Sequence, residues 1–306
     1  MNTLRDHHFD TVQAVAIGGC PNHCPYCIGR QNLQTGGIEA LNLAQPESEE
    51  KLARALAYTR EILGCGSLTL TGRIADPLAS PKYLEVLGRA LKRSDETFPQ
   101  IQVQSSGITW SQTKLDTLKD LGVSVFALST TDMFSSANNA RINRTPERLA
   151  VDLDQLAKAI KLSDFTLRLC VNLSDIYNDT SYANMFARAQ ELQANQITFR
   201  TLQVSGAPDS PESQWIAGHQ YADPDLVGLT TFAKQAGREI GPLSDGFVAY
   251  DVGSVSVAVD PNCLAREGDN TYAKNYVILD QDGELRTSWA EADKDSSRIE
   301  MNDKEE

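Results

Sequence analysis

The chain has little histidine, four residues in 306, and no fourth cysteine near the three that crowd after its first apolar run. No stretch approaches eighteen consecutive apolar residues, so no membrane-spanning helix is expected. The opening, MNTLRDHHFD, is polar and lacks the apolar segment of a secretory leader. The expectation is a cytoplasmic protein whose thiols stay reduced, where clustered cysteines point to metal or catalysis rather than to bridges. Basic excess is missing as well. With 28 Lys and Arg against 41 Asp and Glu, the formal charge is −13. That sign opposes an extended phosphate backbone, so nucleic acid is not an expected partner. A local basic pocket for a nucleotide or sugar phosphate remains compatible with it. Part of the acidity sits in a tail, 291–306, nearly free of large apolar residues and expected to be disordered.

What is present is a regular alternation. Apolar, β-rich runs stand at 12–17, 67–72, 101–106, 123–129, 165–173 and 196–204. Helical spacing and punctuation lie between them. Leu52, Leu56 and Leu63 share a face between Pro46 and Gly64. Ser80-Pro81 forms a cap and first-turn pair ahead of Leu84, Leu87 and Leu91. Ser111 opens a helix that Gly122 closes, Thr145-Pro146 opens another along Leu149, Leu153, Leu156 and Ile160, and 179–194 repeats the pattern. Asp223-Pro224 begins a last helix ending at Gly237, after a long loop, 206–224, of the kind that forms lids. The stretches 247–260 and 276–289 look like strands, the second a hairpin turning near Asp282-Gly283. Repeated βα units with buried parallel strands allow an open doubly wound sheet or a barrel. In both, ligands gather at the C-terminal ends of the strands, and the cysteines follow the first strand directly.

The stretch 20-CPNHCPYC-27 places Cys20, Cys24 and Cys27 on one short loop. Structural zinc prefers four ligands in two pairs, and His23 beside Cys24 is awkwardly placed to complete a set. Iron–sulfur proteins usually give each iron of a cubane one cysteine. Three thiolates leave one iron open, which is where a substrate or cofactor coordinates.

The spacing, with aromatic Tyr26 ahead of the third cysteine, resembles the CxxxCxφC signature of the radical S-adenosylmethionine enzymes. The resemblance implies a partial (β/α)6 TIM-type barrel of parallel strands with a short C-terminal β extension. It also implies a [4Fe–4S] cluster on Cys20, Cys24 and Cys27. S-adenosylmethionine would chelate the open iron, with Tyr26 against its adenine, and reductive cleavage would yield a 5′-deoxyadenosyl radical that abstracts hydrogen from a substrate. Further positions match family elements. Thr71, Gly72 and Arg73, in 70-LTGRIADP-77, stand where relatives carry a glycine-rich edge for the cofactor amine, though the usual acid is missing. Ser105, in 104-QSSG-107, stands at the third-strand turn. Ser129, in 128-LSTTD-132, matches a serine that reaches the ribose. The segment 132-DMFSSANNARINR-144 resembles viperin-like enzymes and places Arg144 where they bind the cofactor carboxylate. Asn172 matches a fifth-strand asparagine of that group and of the GTP 3′,8-cyclases. The resemblance covers residues 12–205. Each position also has a plain structural reading: Ser129 and Asn172 as partners of strand-end backbone, Arg144 as a helix cap or surface pair, Gly72 as an ordinary strand-to-loop glycine.

Cys65, Cys170 and Cys263 stand alone, so no auxiliary-cluster domain is expected and the first two read as small core residues. Cys263, in the turn 260-DPNCLAREGD-269, is a candidate hydrogen-atom donor of the kind some radical epimerases use. The expected organisation is a barrel with its cluster loop over 1–245, a β extension closing it over 246–290, and the acidic tail. The expected substrate is a small molecule such as a nucleotide, sugar or natural-product intermediate, with Arg168 and Arg200 as candidates for holding a phosphate or carboxylate. A flavodoxin- or ferredoxin-type electron donor is implied. Such donors are acidic, so a locally basic docking face is expected, for which Arg5, Arg30 and Lys82 are too scattered. The rivals are a non-catalytic iron–sulfur or zinc protein and a member that binds the cofactor without cleaving it.

Overall fold

A computed structural model of the chain describes residues 9–16, 19–31, 46–204, 207–242, 248–260, 276–280, 282–287, 289 and 297–301. Six strands fall on the six apolar runs: β1 (Thr11–Ala16), β2 (Ser67–Gly72), β3 (Gln100–Ser105), β4 (Val125–Thr130), β5 (Thr166–Leu173) and β6 (Gln196–Thr201). They pair in parallel and in chain order. Each parallel return requires a crossover, and helices supply most of it. These are α1 (Ile28–Gln31), α2 (Pro46–Glu61), α3 (Pro81–Ser94), α4 (Gln112–Asp120), α5 (Ser136–Ile142), α6 (Leu153–Leu162) and α7 (Tyr182–Glu191), followed by α8 (Pro211–Gly218) and α9 (Val227–Ala236). The fold class is the α/β, largely parallel architecture expected.

The C-terminal strands extend both ends of this sheet. β9 (Val255–Asp260) adds parallel to β6, and β10 (Tyr276–Leu279) adds parallel to β1. Antiparallel pieces finish the two edges: β8 (Val248–Val252) and β7 (Arg238–Pro242) beyond β9, β11 (Leu285–Arg286) and β12 (Arg298–Ile299) beyond β10. Within the stretch 247–260, residues 248–260 are therefore a hairpin rather than one strand. Gly253 and Ser254 turn it with φ of 58° and 72°, the positive values that two-residue hairpins need.

Four local expectations are corrected. Thr145-Pro146 opens only a short turn at Glu147–Leu149, because the backbone is extended at Pro146 and Ala150. The helix itself starts at Leu153, capped by Asp152, whose carboxylate accepts from Gln155 N. Asp223 does cap a helix, but from a preceding turn: its carboxylate accepts from Val227 N and Gly228 N, and α9 begins only at Val227. The 206–224 loop contains α8, capped by Ser210 with Pro211 in its first turn. In the tail, residues 297–301 are ordered enough for Ile299 to pair with Leu285 and bury to 3% exposure; Ile299 and Met301 are the large apolar residues that the tail does contain.

Burial alternates along the strands. In β3 and β6 every second residue is buried. Leu68, Leu70, Val103, Leu167, Leu169, Ile197 and Phe199 lie on the side the helices cover. Thr69, Gln102, Arg168, Gln196 and Thr198 lie on the other. Fully covered parallel strands usually read as continuous apolar runs, and closed barrels fill with Val, Ile and Leu. This inner face is polar over much of β2, β3, β5 and β6 instead, with Val125, Ala127 and Cys170 as its small apolar members.

Candidate functional site

The cysteine loop leaves β1 and is tied down at several points. Cys20 N donates to Ile74 O beyond the end of β2 (2.7 Å), and His23 N donates to Asn143 O at the end of α5 (2.9 Å). Asn22 is buried inside the loop. Its amide donates to Ser106 Oγ (3.2 Å), and its Oδ1 accepts from Thr145 Oγ1 (2.7 Å). Cys27 O then accepts from Arg30 N and Gln31 N to start α1. Gly29 is there because nothing larger fits: an added Cβ would lie 1.8 Å from Arg73 O. Gly72 is similarly pressed, with a Cβ placed 2.0 Å from Ala75 O.

All three cysteines are half-buried free thiols. Burial pushes the Cys20 thiol up to about 11, helped by Asp76 and Cys27, and the Cys24 thiol up to about 12, helped by Cys27 and Cys20. Three mutually repelling thiols in one loop form a donor set whose anionic form asks for a cation. Among the described residues, no three His, Cys, Asp or Glu side chains converge on a single metal ion. His23 is exposed and joins no ligand group.

Tyr26 is the centre of a buried polar knot. Its hydroxyl bonds Thr131 Oγ1 and Asn143 Oδ1, the latter at 2.6 Å, and meets the Asn172 side chain. Burial, then the Cys24 charge, raises its pKa. Asn143 also accepts from Thr131 Oγ1 (2.8 Å), while Asn139, one turn earlier on α5, accepts from Thr131 N (2.8 Å). The loop is thus clamped to the ends of β4 and β5. The Tyr26 ring lies 5.9 Å from that of Trp215 on α8, which in turn stacks on His219 at 4.0 Å. Within the long loop expected at 206–224, α8 therefore covers the cysteine loop.

The remaining sequence-derived positions separate into groups. Asn172 and Ser129 share the inner face near the loop, and the Ser129 hydroxyl makes no hydrogen bond among the described residues. Thr71 and Gly72 end β2 beneath the loop. Ser105 is buried and donates to Asp76 Oδ1 (2.7 Å). Asp76 also accepts from Leu78 N, Ser106 N and Ser106 Oγ, four donors that work against the upward pull of burial on its pKa. Arg73 turns to the C-terminal segment, donating to Trp289 O with its guanidinium 5.8 Å from the indole ring centroid. Arg144 is exposed at φ 49°, the left-handed position that follows α5. Its neighbour Thr145 donates to Ala140 O, and its own N–H donates to Arg141 O, the helix-ending bonds that glycine usually accommodates. Arg168 and Arg200 lie on the inner face at opposite ends of their strands. Cys65 is buried in the helix-covered core, as expected, whereas Cys170 is buried on the inner face, in register with Ser129 and Thr198. Cys263 lies outside the described residues.

Sequence reasoning missed Asn22, Gly29, Asn139, Asn143 and Trp215. The pair Asn139 and Asn143, four apart on one helix face, was the available signal. A surface cavity of about 400 Å³ beside α7 is lined by Phe134, Asp179, Asn184 and Arg188. Its Arg188 is already bonded to Asp154, Glu191 and Met133 O.

The family model described as the Radical SAM superfamily matches residues 15–173, just over half of the chain and including all three loop cysteines. Among solved structures, the chain is similar to Streptococcus suis SuiB bound to S-adenosylmethionine, with TM-score 0.60 and 13% identity over 92% of this chain and 61% of that one. It is also similar to SuiB bound to precursor peptide SuiA, with TM-score 0.56 and 11% identity over 91% and 59%. Escherichia coli coproporphyrinogen III oxidase, HemN, matches with TM-score 0.49 and 15% identity over 76% and 55%. At such identities the likeness is one of fold. The chain spans about three-fifths of the length of SuiB. A comparison with curated proteins finds no match.

Proposed function

Since the chain belongs to the Radical SAM superfamily, we propose that it is an enzyme that abstracts hydrogen from a small polar molecule held inside its barrel. The observation that carries this reading is the polar inner face directly below the clamped cysteine loop. In this family a [4Fe–4S] cluster with S-adenosylmethionine supplies, when bound, the one-electron cleavage that makes a 5′-deoxyadenosyl radical. Cys20, Cys24 and Cys27 would hold the cluster. Tyr26, fixed by Thr131, Asn143 and Asn172, holds the loop in one position over the strand ends. Ser129, with its free hydroxyl, and the backbone at Thr71 and Gly72 are the groups best placed to receive the cofactor. Ser105 supports them by holding Asp76. Trp215 on α8 packs beside Tyr26 and covers part of the loop.

The exposed Arg141 and Arg144 stand on either side of Asn143, whose carbonyl accepts from His23 N in the loop. In a chain of charge −13 they form the local basic face that an acidic flavodoxin- or ferredoxin-type donor would dock on. The nucleotide class is favoured within small molecules by the viperin-like segment at 132–144. SuiB is known in complex with a peptide, so a peptide substrate is the alternative to test. Deuterated candidates should be screened for label transfer into 5′-deoxyadenosine. Transfer from a nucleotide, sugar phosphate or small acid supports the reading; transfer from peptides alone contradicts it.

A further inference from the structure

The lumen contains a cation whose hydrogen bonds go to neutral groups. Arg168 stands on the inner face of β5, since Leu167 and Leu169 on either side of it are fully buried under the helices. Its Nε donates to Gln196 Oε1 on β6 (2.7 Å), and its Nη1 donates to Gln102 Oε1 on β3 (2.9 Å). Gln102 donates onward to Thr69 Oγ1 on β2 (2.6 Å). Reaching β3 from β5 means crossing β4, and the residue of β4 in register there is Ala127, whose methyl leaves the way open. Among the described residues, no carboxylate bonds Arg168, and its Nη2 makes no hydrogen bond. Burial lowers its pKa, the opposite of what a bonded acid would do.

A half-buried guanidinium among neutral amides is costly to keep. Two glutamines nevertheless fix its plane and leave Nη2 free to donate a charge-assisted hydrogen bond to an oxyanion. Above it, the row of residues in register is small: Ser129, Cys170, Thr198 and Ala258. In β9, Asp260 stands in register with Arg200, a level higher again. From Asn172, which touches Tyr26, down to Arg168 is four residues of strand, or about 13 Å. A small molecule anchored at Arg168 would present its other end just under the cysteine loop.

We propose that Arg168 is the anion-binding residue of the lumen, taking a carboxylate or phosphate of the substrate while Gln102 and Gln196 hold its guanidinium plane. It rests on the reading of the lumen as the substrate site, and it narrows the substrate class to small anions that span the lumen lengthwise.

The test is calorimetric titration of the full chain with inorganic phosphate and, separately, with glutarate. Wild type is compared with Arg168→Gln and Arg168→Lys, and thermal midpoints are recorded for each. Saturable binding of either probe is expected, with the one that binds identifying the oxyanion. Affinity should fall about tenfold or more in Arg168→Gln and less in Arg168→Lys, which keeps the charge but loses the planar guanidinium that the two glutamines orient. The midpoint of Arg168→Gln should equal or exceed that of wild type, because a half-buried charge with no bonded acid has been removed. Absence of binding to wild type, or equal binding by Arg168→Gln, overturns the proposal; so does a lowered midpoint with binding intact, which marks a structural tie. Should Arg168→Gln fail to fold, unchanged affinity in Arg168→Lys overturns it. The titration needs neither cofactor nor reductant, so it can fail while the hydrogen-abstraction reading stands, and the reverse.

Discussion

Thr198 and Phe199 are adjacent in β6 yet face different surroundings. Phe199 is fully buried, 5.9 Å from the ring of Phe186 on α7. Thr198 faces a lumen shared with Arg168, Gln102 and Gln196, and its hydroxyl makes no hydrogen bond among the described residues. The same contrast holds along β2, β3 and β5. The outer face is apolar because helices must be held to the sheet, which specifies the fold. The inner face is under no such demand, so its polar side chains are available for a ligand. A barrel that relied on its interior for stability would fill it with branched aliphatics.

The contrast can be broken from either face. The largest effect is expected from Phe199→Ala, which should cost about 3–5 kcal/mol in denaturant unfolding by losing burial and leaving a cavity. A loss under about 1 kcal/mol would mean that the outer face is not the core. Next is Tyr26→Phe at the rim. It keeps the ring but strands Thr131, Asn143 and Asn172, so about 1–3 kcal/mol of stability should go, and iron retention after reconstitution should fall with it. Unchanged iron content and stability would show that the knot does not hold the loop. Arg144→Gly relieves a left-handed arginine and should stabilise the protein by about 0.5–1 kcal/mol. If Arg144 receives the cofactor carboxylate, the same change should weaken S-adenosylmethionine binding, so stability and affinity should move in opposite directions. The smallest effect is expected from Thr198→Ala, within about 0.5 kcal/mol of wild type by the same unfolding assay. A cost comparable to that of Phe199→Ala would erase the difference between the faces.

How much of this was legible in the sequence follows the same division. Strands β2 to β6 were readable because their outer faces repeat large aliphatics between glycine and proline punctuation. Helix starts were readable where a side chain caps directly, as Ser111 does on Lys114 N. They failed where an extra turn intervenes, as between Pro146 and Asp152 or between Asp223 and Val227. The helix at 211–218 was announced by Ser210-Pro211, the same pair as Ser80-Pro81, but lay among polar residues that resembled a loop. The cysteine loop was readable because its ligands are contiguous in the chain. Its clamp was not, since Tyr26, Thr131, Asn143 and Asn172 come from four segments that only the fold brings together. The addition of β9 to β6 and of β10 to β1 is non-local pairing, and no local pattern specifies it.

The central claim is that the clamped loop holds a cluster that cleaves S-adenosylmethionine over a polar lumen. The most direct measurement is 5′-deoxyadenosine formed anaerobically after iron and sulfide reconstitution, reduction and addition of S-adenosylmethionine. It should be made on the wild type beside a Cys20→Ala, Cys24→Ala, Cys27→Ala variant. Product from the wild type and only background from the variant is the expected result. Tight zinc without a cluster, or a reduced cluster that binds S-adenosylmethionine and never cleaves it, would contradict the claim.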